Sequence, residues 1–457
     1  MNPRNLRSPL ALPSRRAFLG LGAAGLSAPL LASCAGGANT GDSELGQVDF
    51  NAPAKYADRE MNIVMWSATG GHNGDVLQEL VTKFNDSQED IYAEVQFQGG
   101  YEESGPKLTA ALQAGSVPDI MMFADTWWAR FLLNDVLEPL DDYFDDEFNG
   151  SNYVETLYNE GVVNGSTYWL SYGRSTPLMY YNKDVFAEAG LPDRGPETWD
   201  ELREWGPALR EVQAAGKPIG VHAFNPSDDW PFMAMIWQFG GRISEGLDIQ
   251  IDQQGAVDAG NWAQEFIFED EFGYLSQSPT TDFGAGVVAT TVGSTASLRG
   301  IYEEADFEVG AAFLPSQVTT GVPTGGNGWS LLKGVPQERK DAAFEVLKFL
   351  GSPENAAAWT LGTGYLPVVT EAVNEPELAD VLAEDPNFSA AADQLEISEP
   401  TDAVRTFVTD STSTIISGIQ EILSAQSTDV QSTFDGVADS LRDGAEQIQD
   451  SYEQWYG

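Results

Sequence analysis

The residues able to do covalent or metal chemistry are few. His72 and His222 are the only imidazoles in 457 residues and Cys34 is the only thiol, so no His/Cys metal cluster can be assembled. No Gly-x-Ser-x-Gly elbow, Walker loop or dinucleotide fingerprint occurs in the sequence. Carboxylates are too numerous for a glycosidase pair to be singled out. The run Asp141-Asp142-Tyr143-Phe144-Asp145-Asp146-Glu147 lacks the ligand spacing and turn glycine of a calcium loop, and it reads as solvated surface. What remains is the polar cluster Arg174-Ser175-Thr176, between extended runs at 168–172 and 178–181 and punctuated by Gly173 and Pro177. That pattern reads as a covalent crossing between two lobes, and crevices between α/β lobes hold small ligands. The expected chemistry is reversible binding at a hinge, with no enzyme activity, no cofactor and no metal.

The elements on either side must position that cluster. An apolar strand at 62–66 is followed by Val76, Leu77, Leu80, Val81 and Phe84 on one helical face. An alternating strand at 93–97, a helix at 107–113 and a short apolar strand at 119–123 complete an α/β lobe. Beyond the crossing, Thr198-Trp199-Asp200-Glu201 is a capping box opening a helix with an inner stripe of Trp199, Leu202, Trp205, Leu209 and Val212. Strands at 219–224, 287–291 and 308–314 and helices at 230–239 and 264–272 make a second α/β lobe. The Gly-rich run 324–332 predicts a second crossing and Thr363-Gly364-Tyr365-Leu366-Pro367 a third, which together make a hinged clamp. The tail from Asn387 is helical, and Val430, Phe434, Val437, Leu441, Ala445, Ile448 and Tyr452 form a face expected to dock on the second lobe.

The N-terminus reads as an address. Ser14-Arg15-Arg16-Ala17-Phe18-Leu19 is a twin-arginine export signal, followed by a small apolar run too short for a permanent anchor. Leu31-Ala32-Ser33-Cys34 resembles a lipobox, with cleavage before Cys34 and lipidation of its thiol. The expected divisions are a signal at 1–33, a lipidated Cys and tether at 34–57, a first lobe at 58–172 plus 325–365, and a second at 173–324 plus 366–457. Such a protein sits on the extracellular face of the cell membrane through its lipid, as a monomer. With 23 basic against 70 acidic residues and a net charge of −47, nucleic acid is excluded as a partner, because phosphate backbones need clustered Lys and Arg.

Lys83-Phe84-Asn85, the run Ser175-Thr176-Pro177-Leu178-Met179-Tyr180-Tyr181-Asn182-Lys183-Asp184, Thr198-Trp199-Asp200-Glu201-Leu202, Gly325-Gly326, Ser352-Pro353-Glu354-Asn355-Ala356 and Thr363-Gly364-Tyr365-Leu366-Pro367 together resemble the family 1 extracellular solute-binding proteins of ABC importers. The resemblance implies a two-lobe, type II periplasmic-binding-protein-like α/β fold with hinge crossings and a helical C-terminal tail. It also implies delivery of the ligand to the transmembrane subunits of a permease. Within that family the chain is most similar to the branch that binds sn-glycerol 3-phosphate and glycerophosphodiesters. Carried over residue by residue, this implies that Tyr101, Asp125, Ser175, Trp230, Ser294, Gly326, Tyr365 and Arg405 line the cleft. Asp125 would hold glycerol hydroxyls, Trp230 an aromatic wall, Gly326 a backbone donor and Arg405 the phosphate; Ser297 competes with Ser294. A guanidinium with neutral hydroxyl and amide donors is chemically complete for a phosphate ester. Two departures stand out: Arg174 replaces a small residue, as either a second anion contact or an ion pair, and residues 226–229 stand where a second Trp is common. The alternative ligand is a neutral mono- or oligosaccharide of the maltose or trehalose type.

Overall fold

Apolar runs without polar alternation demand a sheet covered on both faces. Met61–Ser67 and Ile120–Ala124 are such runs: Ile63, Val64, Met65 and the whole of the second strand are sealed from solvent. In the computed structural model, which describes residues 44–214 and 217–456, they lie within a five-stranded sheet. Its order is Ile91–Phe97, Met61–Ser67, Ile120–Ala124, Gly325–Leu331, Leu170–Ser175, with the first three parallel and the last two joined antiparallel. The expected export signal, Cys34 and the first part of the tether lie outside the described residues. Among the described residues no helix is long and apolar enough to cross a membrane.

Helix Gly71–Ser87 covers one face of this sheet with Leu77, Leu80, Val81 and Phe84, alongside Phe344, Leu347 and Trp359 from helices Gln337–Leu350 and Pro353–Thr363. The other face takes Leu108, Trp128, Leu132 and Trp169. Helix Tyr101–Ala114 opens at Tyr101 rather than at Lys107 as expected, and carries Pro106 inside it. A proline so near the start deprives only one early carbonyl of its partner, so the helix tolerates a residue that reads as a breaker.

The second lobe has its own five-stranded sheet, ordered Gly273–Leu275, Gly220–Phe224, Val288–Ser294, Pro177–Asn182, Val309–Ala312. Thr198 caps helix Trp199–Glu211 by accepting from the Glu201 amide at 2.9 Å. Only half of the expected box forms, because the Glu201 carboxylate turns to the Glu197 amide and to Arg194.

The chain leaves the first lobe later than the sequence pattern indicated. Gly173, Arg174 and Ser175 continue the first sheet, Arg174 opposite Gly326 and Ser175 opposite Gly325, so Thr176 alone links the two sheets. Past Tyr365 the chain turns back on the first lobe, whose core takes Val368, Val369, Ala372 and Leu378, before Phe388 and Ala391 enter the second. Gly364, at φ +85°, ends the preceding helix without redirecting the chain across.

The C-terminal helix Val430–Tyr456 docks Val430, Phe434, Val437, Ala438, Leu441 and Ala445 into the second lobe's core. Its last turns reach the first lobe as well: Trp455 meets Tyr168 edge-on at 5.8 Å, and Tyr452 and Tyr456 pack on Phe407 at 5.1 and 4.8 Å. The tail therefore spans both lobes rather than one.

Candidate functional site

The register of Gly325–Leu331 builds the site. This strand pairs with both Ile120–Ala124 and Leu170–Ser175, which sets Arg174 opposite Gly326 and Asn327 opposite Ala124. The following Asp125 amide donates to the Gly326 carbonyl at 3.0 Å. Gly326 has φ +116°, and a Cβ there would stand 1.9 Å from the Gly173 carbonyl oxygen. Only glycine fits this close approach of two backbones.

Around that contact lies a buried polar network. Tyr101 accepts from the Asn327 amide nitrogen at 2.9 Å, and the Asn327 amide oxygen accepts from the Gly173 N–H at 3.2 Å. Tyr365 stacks on Trp359 at 5.5 Å, and Trp359 in turn stacks on Tyr172 at 4.6 Å. Burial pushes both the Tyr101 and Tyr365 hydroxyls above the ordinary phenol range, so both remain neutral donors. Burial also raises the Asp125 carboxyl, opposed by the guanidiniums of Arg174 and then Arg405.

Arg174 is completely buried. Its Nη2 donates to Glu160 and, at 3.1 Å, to the Thr324 hydroxyl; its Nη1 lies 3.6 Å from Asp125 Oδ2; and its plane sits 5.1 Å from the Trp169 ring. Arg405 enters on the short helix Ala403–Phe407 and is held bidentately by Asp229, with Nε and Nη2 at 2.6 and 2.8 Å, while Nη1 donates to Thr401 at 3.2 Å. Arg130 of the first lobe secures that helix by donating to the carbonyls of Arg405 and Thr406. Burial works against the Arg405 charge, but Asp229 outweighs it and raises its pKa.

Tyr101, Asp125, Ser175, Gly326, Tyr365 and Arg405 thus gather near the crossing, while Trp230, Ser294 and Ser297 line an adjoining cavity of about 330 Å³ in the second lobe. Trp230 connects the two: its indole N–H donates to the Thr324 carbonyl at 3.2 Å, and its ring covers Gly325 so closely that a Cβ would meet it at 2.7 Å. Ser294 accepts from the Ala296 amide at 3.1 Å as a helix cap, so its hydroxyl is partly committed; Ser297 caps nothing. Asp228 caps Trp230 from the cavity wall, and burial and then Asp229 push its carboxyl up to about 6. His222 is held neutral by burial, at about 3.

Asn327, Glu160, Asp228 and Asp229 were not anticipated. Asn327 had a visible signal, a lone amide in a Gly-rich strand; the acids had none, being three among 70. The arrangement offers guanidinium, hydroxyl and amide donors, carboxylate acceptors and one aromatic wall. Among the described residues no group of His, Cys, Asp and Glu could hold a metal ion.

Residues 79–390 match the family model described as bacterial extracellular solute-binding protein. The chain belongs to that family. This solute-binding protein is 27% identical over 366 residues to the sn-glycerol-3-phosphate-binding periplasmic protein UgpB of Pectobacterium atrosepticum, covering 76% of this chain and 82% of that one. It is 26% identical to UgpB of Escherichia coli K12 over 356 residues, 73% of this chain and 80% of the relative. Among solved structures it resembles UgpB of Mycobacterium tuberculosis in complex with glycerophosphocholine, at 34% identity and a TM-score of 0.80, covering 84% of this chain and 98% of the other.

Proposed function

We propose that this solute-binding protein captures sn-glycerol 3-phosphate or a glycerophosphodiester between its lobes and presents it to the transmembrane subunits of an ABC importer. The observation that carries this reading is the gathering of Tyr101, Asp125, Gly326 and Tyr365 in one buried polar site, with the charge of Arg405 acting on Asp125 beside it. The 34% identity to a UgpB solved with glycerophosphocholine supports it. Arg405 spends three N–H groups on Asp229 and Thr401, leaving two of its five for phosphate oxygens. Asp125 accepts glycerol hydroxyls, Trp230 gives the carbon skeleton an apolar wall, and Tyr101, Ser175, Ser294 and Tyr365 donate neutral hydrogen bonds. Contacts made by both lobes favour the closed arrangement, which the permease reads.

Charge balance favours the diester. Arg174 and Arg405 face the carboxylates of Asp125, Glu160, Asp228 and Asp229, so a ligand bringing one negative charge is repelled less than one bringing two. The same balance supports a second reading, a neutral sugar of the maltose or trehalose type. We further propose, from the twin-arginine and lipobox-like residues, that the body is held as a monomer on the extracellular face of the cell membrane by a lipid on Cys34; palmitate labelling lost in Cys34→Ala tests this anchor.

Calorimetric titration with glycerophosphocholine, sn-glycerol 3-phosphate, maltose and trehalose tests the ligand. Heat from a phosphate compound and none from the sugars is the expected result, whereas heat from a disaccharide alone overturns the reading.

A further inference from the structure

Arg174 is buried without being satisfied. Its Nη2 has both Glu160 and Thr324, but its Nε and Nη1 have no hydrogen-bond partner among the described residues. The Asp125 Oδ2 beside it is equally unpartnered. At 3.6 Å, Nη1 and Oδ2 attract each other as charges but are too far apart for a hydrogen bond. A buried donor and a buried acceptor left open side by side require an explanation; both belong to residues joined to Gly326, Arg174 as its strand partner and Asp125 through its amide.

A hydroxyl closes that gap. Its oxygen, about 2.8 Å from each partner, accepts from the Nη1 N–H while its O–H donates to Oδ2. A phosphate oxygen cannot do both, because it has no proton for Asp125 and would set its charge against that carboxylate. Glu160 already occupies the other end of the guanidinium, so the Arg174 charge is neutralised before any ligand arrives. Trp169, packed at 5.1 Å from the guanidinium, restricts its movement toward another position.

We propose that Arg174 and Asp125 form a two-point reader of a free ligand hydroxyl, making Arg174 a specificity-determining residue for the unesterified glycerol end rather than a second phosphate contact. This rests on the cleft being the ligand site and deepens the reading above. A substituent on that hydroxyl removes the O–H that donates to Asp125 and adds bulk where the two side chains meet, so a glycerol end still carrying an acyl chain is rejected.

The test pairs two ligands with two variants of the purified full-length protein. Glycerophosphocholine carries the free hydroxyls; ethyl phosphocholine keeps the phosphodiester and choline but has none. Arg174→Lys keeps the charge beside Glu160 but loses the planar fork, and E160Q/R174Q removes both charges together, so a folding defect in one does not decide the outcome. Both variants are expected to weaken glycerophosphocholine by about 10- to 100-fold, the range for a hydrogen bond to a charged group, and to change ethyl phosphocholine by no more than about twofold. Equal losses for the two ligands, or no loss for either, overturn the proposal. Should the wild type bind maltose and neither phosphate compound, the ligand reading falls, and monodeoxy maltoses decide Arg174. It stands if one deoxygenation weakens the wild type as much as the variants and the variants no further, and falls if every pair of losses multiplies.

Discussion

Asp228, Asp229 and Arg405 show what neighbouring side chains do with buried charge. Asp229 meets Arg405 through two hydrogen bonds, whereas Asp228, one position earlier, faces the cavity with only the Trp230 amide. Its carboxyl is therefore displaced upward to about 6. A carboxyl whose pKa is higher folded than unfolded binds its proton more tightly in the native state. The stability this provides is complete below about pH 4 and is lost as pH rises toward 6. Asp228 keeps some contact with cavity solvent, so the loss is on the order of 2 kcal/mol rather than the full shift. Asp228→Asn preserves the helix cap and is expected to be more stable than the wild type at pH 7 and equal to it at pH 4. Urea denaturation at both pH values checks this, and an equal difference at the two would show that the cavity carboxyl does not titrate as described.

At the scale of elements, the C-terminal helix joins what the hinge separates. Its apolar stripe belongs to the second lobe, but Trp455 and Tyr456 rest on Tyr168 and Phe407, beside the strand that leads to Arg174. Aromatic pairs of this geometry contribute about 0.5–1.5 kcal/mol each beyond their buried area. Replacing Trp455 and Tyr456 by Ala is expected to free the last two turns while leaving 430–445 protected, since the second-lobe core holds that part independently. Amide hydrogen exchange along the helix measures this. Protection lost uniformly from Val430 onward would mean that the helix docks as one unit.

At the scale of the molecule, 70 acidic and 23 basic side chains leave −47 charges to repel one another. Compaction brings them together, so self-repulsion opposes folding until salt screens it, over about 10 Å at 0.1 M and 3 Å at 1 M. Surface pairs such as Lys83–Glu354 and Lys333–Asp135 weaken in salt, but each contributes little. The thermal midpoint is therefore expected to rise between 0.05 and 1 M NaCl, and to rise equally in KCl. A flat or falling midpoint would assign more of the stability to ion pairs than to relief of repulsion.

Fold class and much of the candidate site were legible in the order of residues, because apolar periodicity and turn chemistry are local. The runs at 62–66 and 119–123, the stripe of Leu77, Leu80, Val81 and Phe84, and the crossing around Thr176 all declare themselves within a few residues. Partners distant in the chain do not. Arg405 meets Asp229 across 176 residues, and nothing in a sequence with 70 acids distinguishes that one. Glu160 joins Arg174 only because the chain after 155–159 packs beside the first sheet, and Asn327 reaches Tyr101 only because Gly325–Leu331 is inserted between two strands that precede it in the chain. The boundary at 365 was misplaced for the same reason: Gly364 and Pro367 mark a turn, but which lobe receives Val368 to Leu378 depends on which core has room for them. The sequence by itself determined the elements and their polarity; tertiary packing alone decided which charges pair and which, like Arg174 Nη1 and Asp125 Oδ2, are left open.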